Sequence, residues 1–144
     1  MITTSLELSK RLKEAGFPQD IPNEYGDEQS RWWCQWDGKA PRLLWLQSDG
    51  FNDDDTHGES GEINVLYKSF FAEEILEKLP EKLESYGDYF FLNCHKDGKW
   101  LVSYYSMLQN YTCYINDQRV EVKNESLADA CALMYLHLKQ HNLL

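Results

Sequence analysis

Apolar residues along this chain recur at two different periods, and the period changes from segment to segment. In "TSLELSKRLKEAGFP", Leu8, Leu12 and Ala15 follow one another at helical spacing. Thr4 and Glu7 stand in the Thr-x-x-Glu arrangement of a capping box, which predicts a helix start there. Gly16 and Pro18 predict its end, because glycine accepts a left-handed backbone and proline cannot continue the ladder.

A period of two takes over in "RWWCQWDGKAPRLLWLQ". The segments 31–36 and 42–47 flank Asp37-Gly38 and predict a hairpin with a five-residue connection. Alternation places Trp32, Cys34 and Trp36 on one face, and Arg31, Trp33 and Gln35 on the other. The cysteine face is the expected core, leaving Trp33 as the ring to be partly exposed. After the strand "INVLY", Ser69 is expected to cap a helix through "SFFAEEILEKLPEKL", with Phe71, Ile75 and Leu79 as its stripe and Pro80 as its stop or kink.

"DYFFLNCHKDGKWLVSYYS" predicts two strands around Lys96-Asp97-Gly98-Lys99. A weaker hairpin is expected from "YTCYIN" and "RVEV", joined at Asp117-Gln118. The last helix is capped by Ser126-x-x-Asp129, and Leu127, Cys131, Met134 and Leu138 form its buried stripe. Strands arriving in hairpins, with helices between the groups, predict an α+β fold: an antiparallel sheet with about three helices packed on it, in one domain spanning 1–144. Both faces of "WLVSYYS" are apolar. Helices covering both faces are the favoured explanation, and a surface patch for a partner is the rival.

Composition narrows the function more by exclusion than by assignment. The chain has 144 residues, 42% hydrophobic and 14% aromatic, which suits a packed core. Its net charge of −10, from 24 acidic and 14 basic residues, opposes nucleic-acid binding, which draws on basic groups that displace counterions. The segment 49–62 carries six carboxylates and no Lys or Arg, and is expected to be an exposed loop. Within it Asp53, Asp54 and Asp55 are candidate contacts for a basic partner. A calcium loop starting at Asp53 would need Glu at its twelfth position, where Asn64 stands, so no metal is expected.

Other chemistry finds no linear motif. The four cysteines Cys34, Cys94, Cys113 and Cys131 lack the short spacing of a zinc site and are expected to be reduced core thiols. His137 and His141 are four apart, but the helix dipole accounts for histidine at a C-terminus, and the His-Glu-x-x-His pattern is missing. Cys94 and His95 point to opposite faces of a strand and form no dyad. No nucleophile elbow, Gly-rich phosphate loop or cofactor fingerprint occurs. Neither a bilayer-length apolar run nor a leader-like N-terminus is present, so a cytoplasmic location with no membrane contact is expected.

The segments "TSLELSKRLKEAGFPQ", "AEEILEKLPEKL" and "SLADACALMYLHLK" together resemble parts of small uncharacterised proteins of phages, prophages and related mobile elements. That resemblance covers about a third of the chain, consists of helical packing motifs, and implies a genomic context without any catalytic residue. The long acidic segment 49–62 departs from the pattern. The function expected from these readings is that of a non-enzymatic acidic interaction protein binding a host or self protein through Trp33, Arg31 and Asp53, Asp54 and Asp55. Homo-oligomerisation stays open. A small-ligand protein holding a nucleotide or sugar against an exposed ring is the second expectation, and an enzyme without a linear motif the third.

Overall fold

A computed structural model describes residues 2–19, 30–47, 50–51 and 62–144. They form an α+β fold of antiparallel sheets with three helices, as the hairpin pattern predicts. The chain divides into two compact units, Ser5–Phe70 and Met1–Thr4 with Phe71–Leu144.

In the unit Ser5–Phe70, helix α1 (Leu6–Glu14) is capped by Ser5, whose hydroxyl accepts from the Leu8 N–H at 3.4 Å. The expected Thr4–Glu7 box is thus displaced by one residue, with Thr4 itself buried. Leu8 and Leu12 are buried as their spacing predicts, and Gly16 leaves the helix at φ +86. Strands β1 (Ser30–Trp36), β2 (Arg42–Gln47), β3 (Gly50–Phe51) and β4 (Ile63–Ser69) form a sheet in the order β3-β2-β1-β4. Trp32, Cys34, Trp36 and Leu44 make its core cluster, joined by Leu46 and Ile63. Burying a side chain such as Leu44 fully contributes roughly 1.5–3 kcal/mol.

The outer edge of β4 is partly closed by residues of the α1 region. Lys13 Nζ donates to the Leu66 carbonyl at 3.2 Å, and Gln19 Oε1 accepts from the Lys68 N–H at 3.0 Å. Satisfying edge groups with side chains blunts strand addition at that point.

Ser69 ends β4, still within the unit Ser5–Phe70, instead of capping a helix; the elements that follow belong to the other unit. Helix α2 (Ala72–Leu76) starts after Phe71, whose N–H donates to Glu74 Oε1 at 3.0 Å. It is shorter than its stripe predicts: "EKL" beyond Pro80 is drawn into a strand, β5 (Lys82–Ser85), which pairs with β6 (Asp88–Asp97). Proline disfavours a helical residue before it and removes a ladder donor. Strand β7 (Lys99–Ser106) follows across Gly98, at φ +75, as the Asp-Gly pair predicts.

The third hairpin is shorter than expected. β8 (Tyr111–Thr112) pairs with β7, while β9 (Tyr114–Ile115) and β10 (Gln118–Arg119) form a two-residue ladder. Its turn is Asn116-Asp117, at φ 50 and 63, because Asn and Asp tolerate the left-handed conformation better than Gln118. β11 (Glu121–Asn124) pairs with β7, so the sheet order is β11-β7-β6-β5. Helix α3 (Leu127–Gln140), capped by Ser126 Oγ on the Asp129 N–H at 3.3 Å, packs on β7, β11 and α2. Cys131, Met134 and Leu138 on its buried stripe face the core formed with Phe90, Val102 and Tyr104. The Tyr104 hydroxyl donates to the Pro80 carbonyl at 2.6 Å, tying β7 to the end of the α2 segment.

Candidate functional site

The β5–β6 connection is Tyr86-Gly87, with φ of 52 and 82. Two left-handed central residues make a tight hairpin whose twist suits the strands, and such turns favour Asn-Gly. Tyrosine in that conformation is strained, and packing does not offset it, because Tyr86 is 99% exposed. A bulky aromatic ring held outward at a conformational cost is a feature that folding alone does not require.

A second turn, 107–110, stands beside it at the same end of the sheet. Met107 and Leu108 are 84% and 97% exposed there. Ser106 pins this turn twice: its hydroxyl accepts from the Gln109 N–H at 3.1 Å, and its carbonyl from the Asn110 N–H at 2.8 Å. Asn110 takes a left-handed backbone and accepts a hydrogen bond from the Tyr105 hydroxyl. The two apolar side chains are therefore presented by a hydrogen-bonded turn.

Between the turns, Tyr89 and Phe91 project from β6. The register explains why they are outward. Phe90, Leu92 and Cys94 alternate with Tyr89, Phe91, Asn93 and His95, and the first set faces the core. Tyr89 and Phe91 remain 50% and 54% exposed, so the expectation of a sheet covered on both faces does not hold along β6. Among the described residues three helices are present, but α2 and α3 pack against each other and α3 packs on β7. Gly87, Asp88, Tyr89, Phe91, Met107 and Leu108 line a cleft of about 490 Å³ together with Ser106 and Gln109. Lys82 sits over the Tyr89 ring at 4.6 Å, and Asp88 accepts from the Tyr111 hydroxyl at 3.2 Å, giving the cleft a polar rim. Further along the same face a smaller polar recess of about 290 Å³ is lined by His95, Asp97, Lys99, Leu101, Glu121 and Lys123.

The residues singled out from the sequence lie elsewhere. Trp33 is half-buried on the outer face of β1, between Leu43 of β2 and Tyr67 of β4. Arg31 shares that face, its guanidinium 4.4 Å from the centroid of the Trp45 ring opposite it. Asp53, Asp54 and Asp55 fall outside the described residues. Trp32 and Trp36 are buried, as alternation predicts. Alternation in "RLLWLQ" already places Leu43 and Trp45 together, whereas Tyr67 joins them only through the β1–β4 register.

Burial pushes the Cys34 thiol up to about 12 and raises Cys113, as core thiols require. Burial and then His141 lower His137, whose ring lies 4.7 Å from that of His141. Among the described residues no group of three or more His, Cys, Asp or Glu is placed to hold a metal ion, and no helix is long and apolar enough to cross a membrane. No family model matches the chain, and no curated protein and no solved structure matches it either.

Proposed function

We propose that this chain is a non-enzymatic interaction protein, of phage or mobile-element type, that binds another protein through the cleft between the Tyr86-Gly87 turn and the 107–110 turn. One observation carries the reading. Tyr86 holds a left-handed backbone while almost wholly exposed, beside Met107 and Leu108 on a pinned turn. Aromatic and methionine side chains are the types enriched at the centres of protein interfaces.

The occupant is a different protein presenting apolar side chains among basic ones. The net charge of −10 attracts a basic surface and opposes a second copy of the same chain. Nine of the 24 carboxylates fall in the segments 20–29 and 48–61, which contain no Lys or Arg. Those segments, including Asp53, Asp54 and Asp55, supply the long-range attraction, and the cleft supplies the apolar contact.

The test is a side-by-side capture from host lysate with wild type and with the double variant Phe91→Glu, Leu108→Glu. A protein retained by wild type and absent from the variant supports the reading, provided light scattering finds wild type monomeric. Equal capture by both, or self-association through these two residues, overturns it.

A second reading rests on the outer face of β1, where Trp33, Trp45 and Tyr67 are half-buried together. A nucleotide or sugar stacked on Trp33 would alter tryptophan fluorescence, and Trp33→Ala would abolish that response. A ligand screen with no such response removes this reading.

A further inference from the structure

Strand β6 runs further than the strand beside it. Its ladder with β5 covers Asp88–Phe91, whereas its ladder with β7 begins only at Phe91, opposite Tyr105. Beyond Tyr105 the chain passes Ser106, turns through 107–110 and returns as β8 on the side of β7 away from β6. Among the described residues, no strand therefore lies along one side of the stretch Asp88–Phe90.

The direction of the backbone groups decides whether that side can bond. In an antiparallel ladder, successive residues direct their N–H and C=O groups to opposite sides. The Leu92 N–H donates to the Glu81 carbonyl at 3.0 Å, which assigns the even-numbered residues of β6 to the β5 side. Tyr89, like Phe91, thus directs both backbone groups toward the β7 side, where the ladder has ended. Among the described residues, no main-chain hydrogen bond joins Tyr89 to the 107–110 turn. Tyr89 is half exposed and lines the cleft with Met107 and Leu108, so its open edge borders that cleft.

We propose that the cleft takes an extended segment of a partner protein, which adds to the sheet as a short strand hydrogen-bonded to the Tyr89 N–H and carbonyl. This rests on the cleft being the partner site. An open strand edge offers a donor and an acceptor at the spacing of another strand, and extended peptides bind such edges by strand addition. The register also sets the chemistry of the segment. The residue opposite Tyr89 places its side chain on the face of Tyr89 and Phe91, and is apolar. Its two neighbours point to the face of Asp88, the one charged side chain of the cleft lining, and are basic. The net charge of −10 favours the same pattern and opposes a second copy of this chain.

A displayed library of random short peptides is panned on the full wild-type chain and counter-selected on Phe91→Glu, Leu108→Glu. Enriched peptides that alternate apolar and basic residues are expected. In NMR of the isotope-labelled protein, such a peptide should slow hydrogen exchange at the Tyr89 amide. The Phe91 amide, already paired with Tyr105, should not change. N-methylation of the peptide at the residue opposite Tyr89 should weaken binding at least about tenfold. A cleft-dependent peptide that leaves Tyr89 exchange unaltered, or whose N-methylated forms all bind like the parent, overturns strand addition and leaves the cleft reading standing. Slow exchange at Tyr89 in the free protein, the absence of any enriched peptide, or equal enrichment on both proteins also overturns it, and the lysate capture then decides the cleft reading separately. The wild-type exchange map is decisive even if the double variant fails to fold.

Discussion

Tyr86 separates what the fold needs from what it merely tolerates. Asparagine holds a left-handed backbone more readily than tyrosine, and Tyr86 has almost no packing to lose. Tyr86→Asn is therefore expected to stabilise the protein by about 0.5–1 kcal/mol in urea unfolding while weakening partner capture. A variant that is destabilised would mean that the ring serves the fold. Tyr104 is the opposite case, buried with its hydroxyl on the Pro80 carbonyl. Tyr104→Phe should lose about 1–2 kcal/mol, because the part-buried carbonyl loses its hydroxyl donor; an unchanged urea midpoint would remove the bond from the account. His137 adds a pH dependence. Its folded value lies below its ordinary one, so the unfolded chain takes up the proton first as pH falls. Stability is thus full above about pH 6.5 and declines as pH drops below it toward the lowered folded value. His137→Gln should flatten the decline in thermal midpoint between pH 7 and 5, and an equal decline in both proteins would assign the slope to other groups.

At the scale of elements, hairpins with Asp-Gly at the turn were legible and a register-dependent strand was not. Gly38 and Gly98 both adopt the positive φ that their turns predict. Around Gly98 a Cβ would meet nothing within 4 Å, so Gly98→Ala tests conformation alone. It should cost about 1 kcal/mol, and a cost near zero would show that the β6–β7 turn tolerates another geometry. β5 escaped because "EKLES" reads as the tail of an amphipathic helix, and only pairing with β6 makes it a strand. The cap of α1 moved from Thr4 to Ser5 because two adjacent hydroxyl residues compete for one amide, and spacing alone does not choose between them. The candidate cleft was invisible for a similar reason. Gly87, Phe91 and Leu108 come from a turn, a strand and a second turn, and the β6–β7 register brings the last two to one end of the sheet. The strained Tyr86-Gly87 turn was the one local signal available. Trp33 was placed correctly as half-buried on its strand, and alternation sufficed for that because both of its neighbours in β1 are core.

For the molecule as a whole, the carboxylate-rich segments and the apolar cleft ask different things of a partner. Attraction to the net charge of −10 acts at a distance and weakens with salt, whereas the cleft fixes which apolar groups are accepted. Central contacts of an interface carry most of its binding energy, so a single charge placed at Leu108 should be costly. The most direct test is calorimetric titration of the captured, purified partner into wild type, Leu108→Glu and Trp33→Ala. The cleft account predicts at least about tenfold weaker binding for Leu108→Glu and a change within about twofold for Trp33→Ala. Unaltered affinity for Leu108→Glu, or a loss confined to Trp33→Ala, would contradict it.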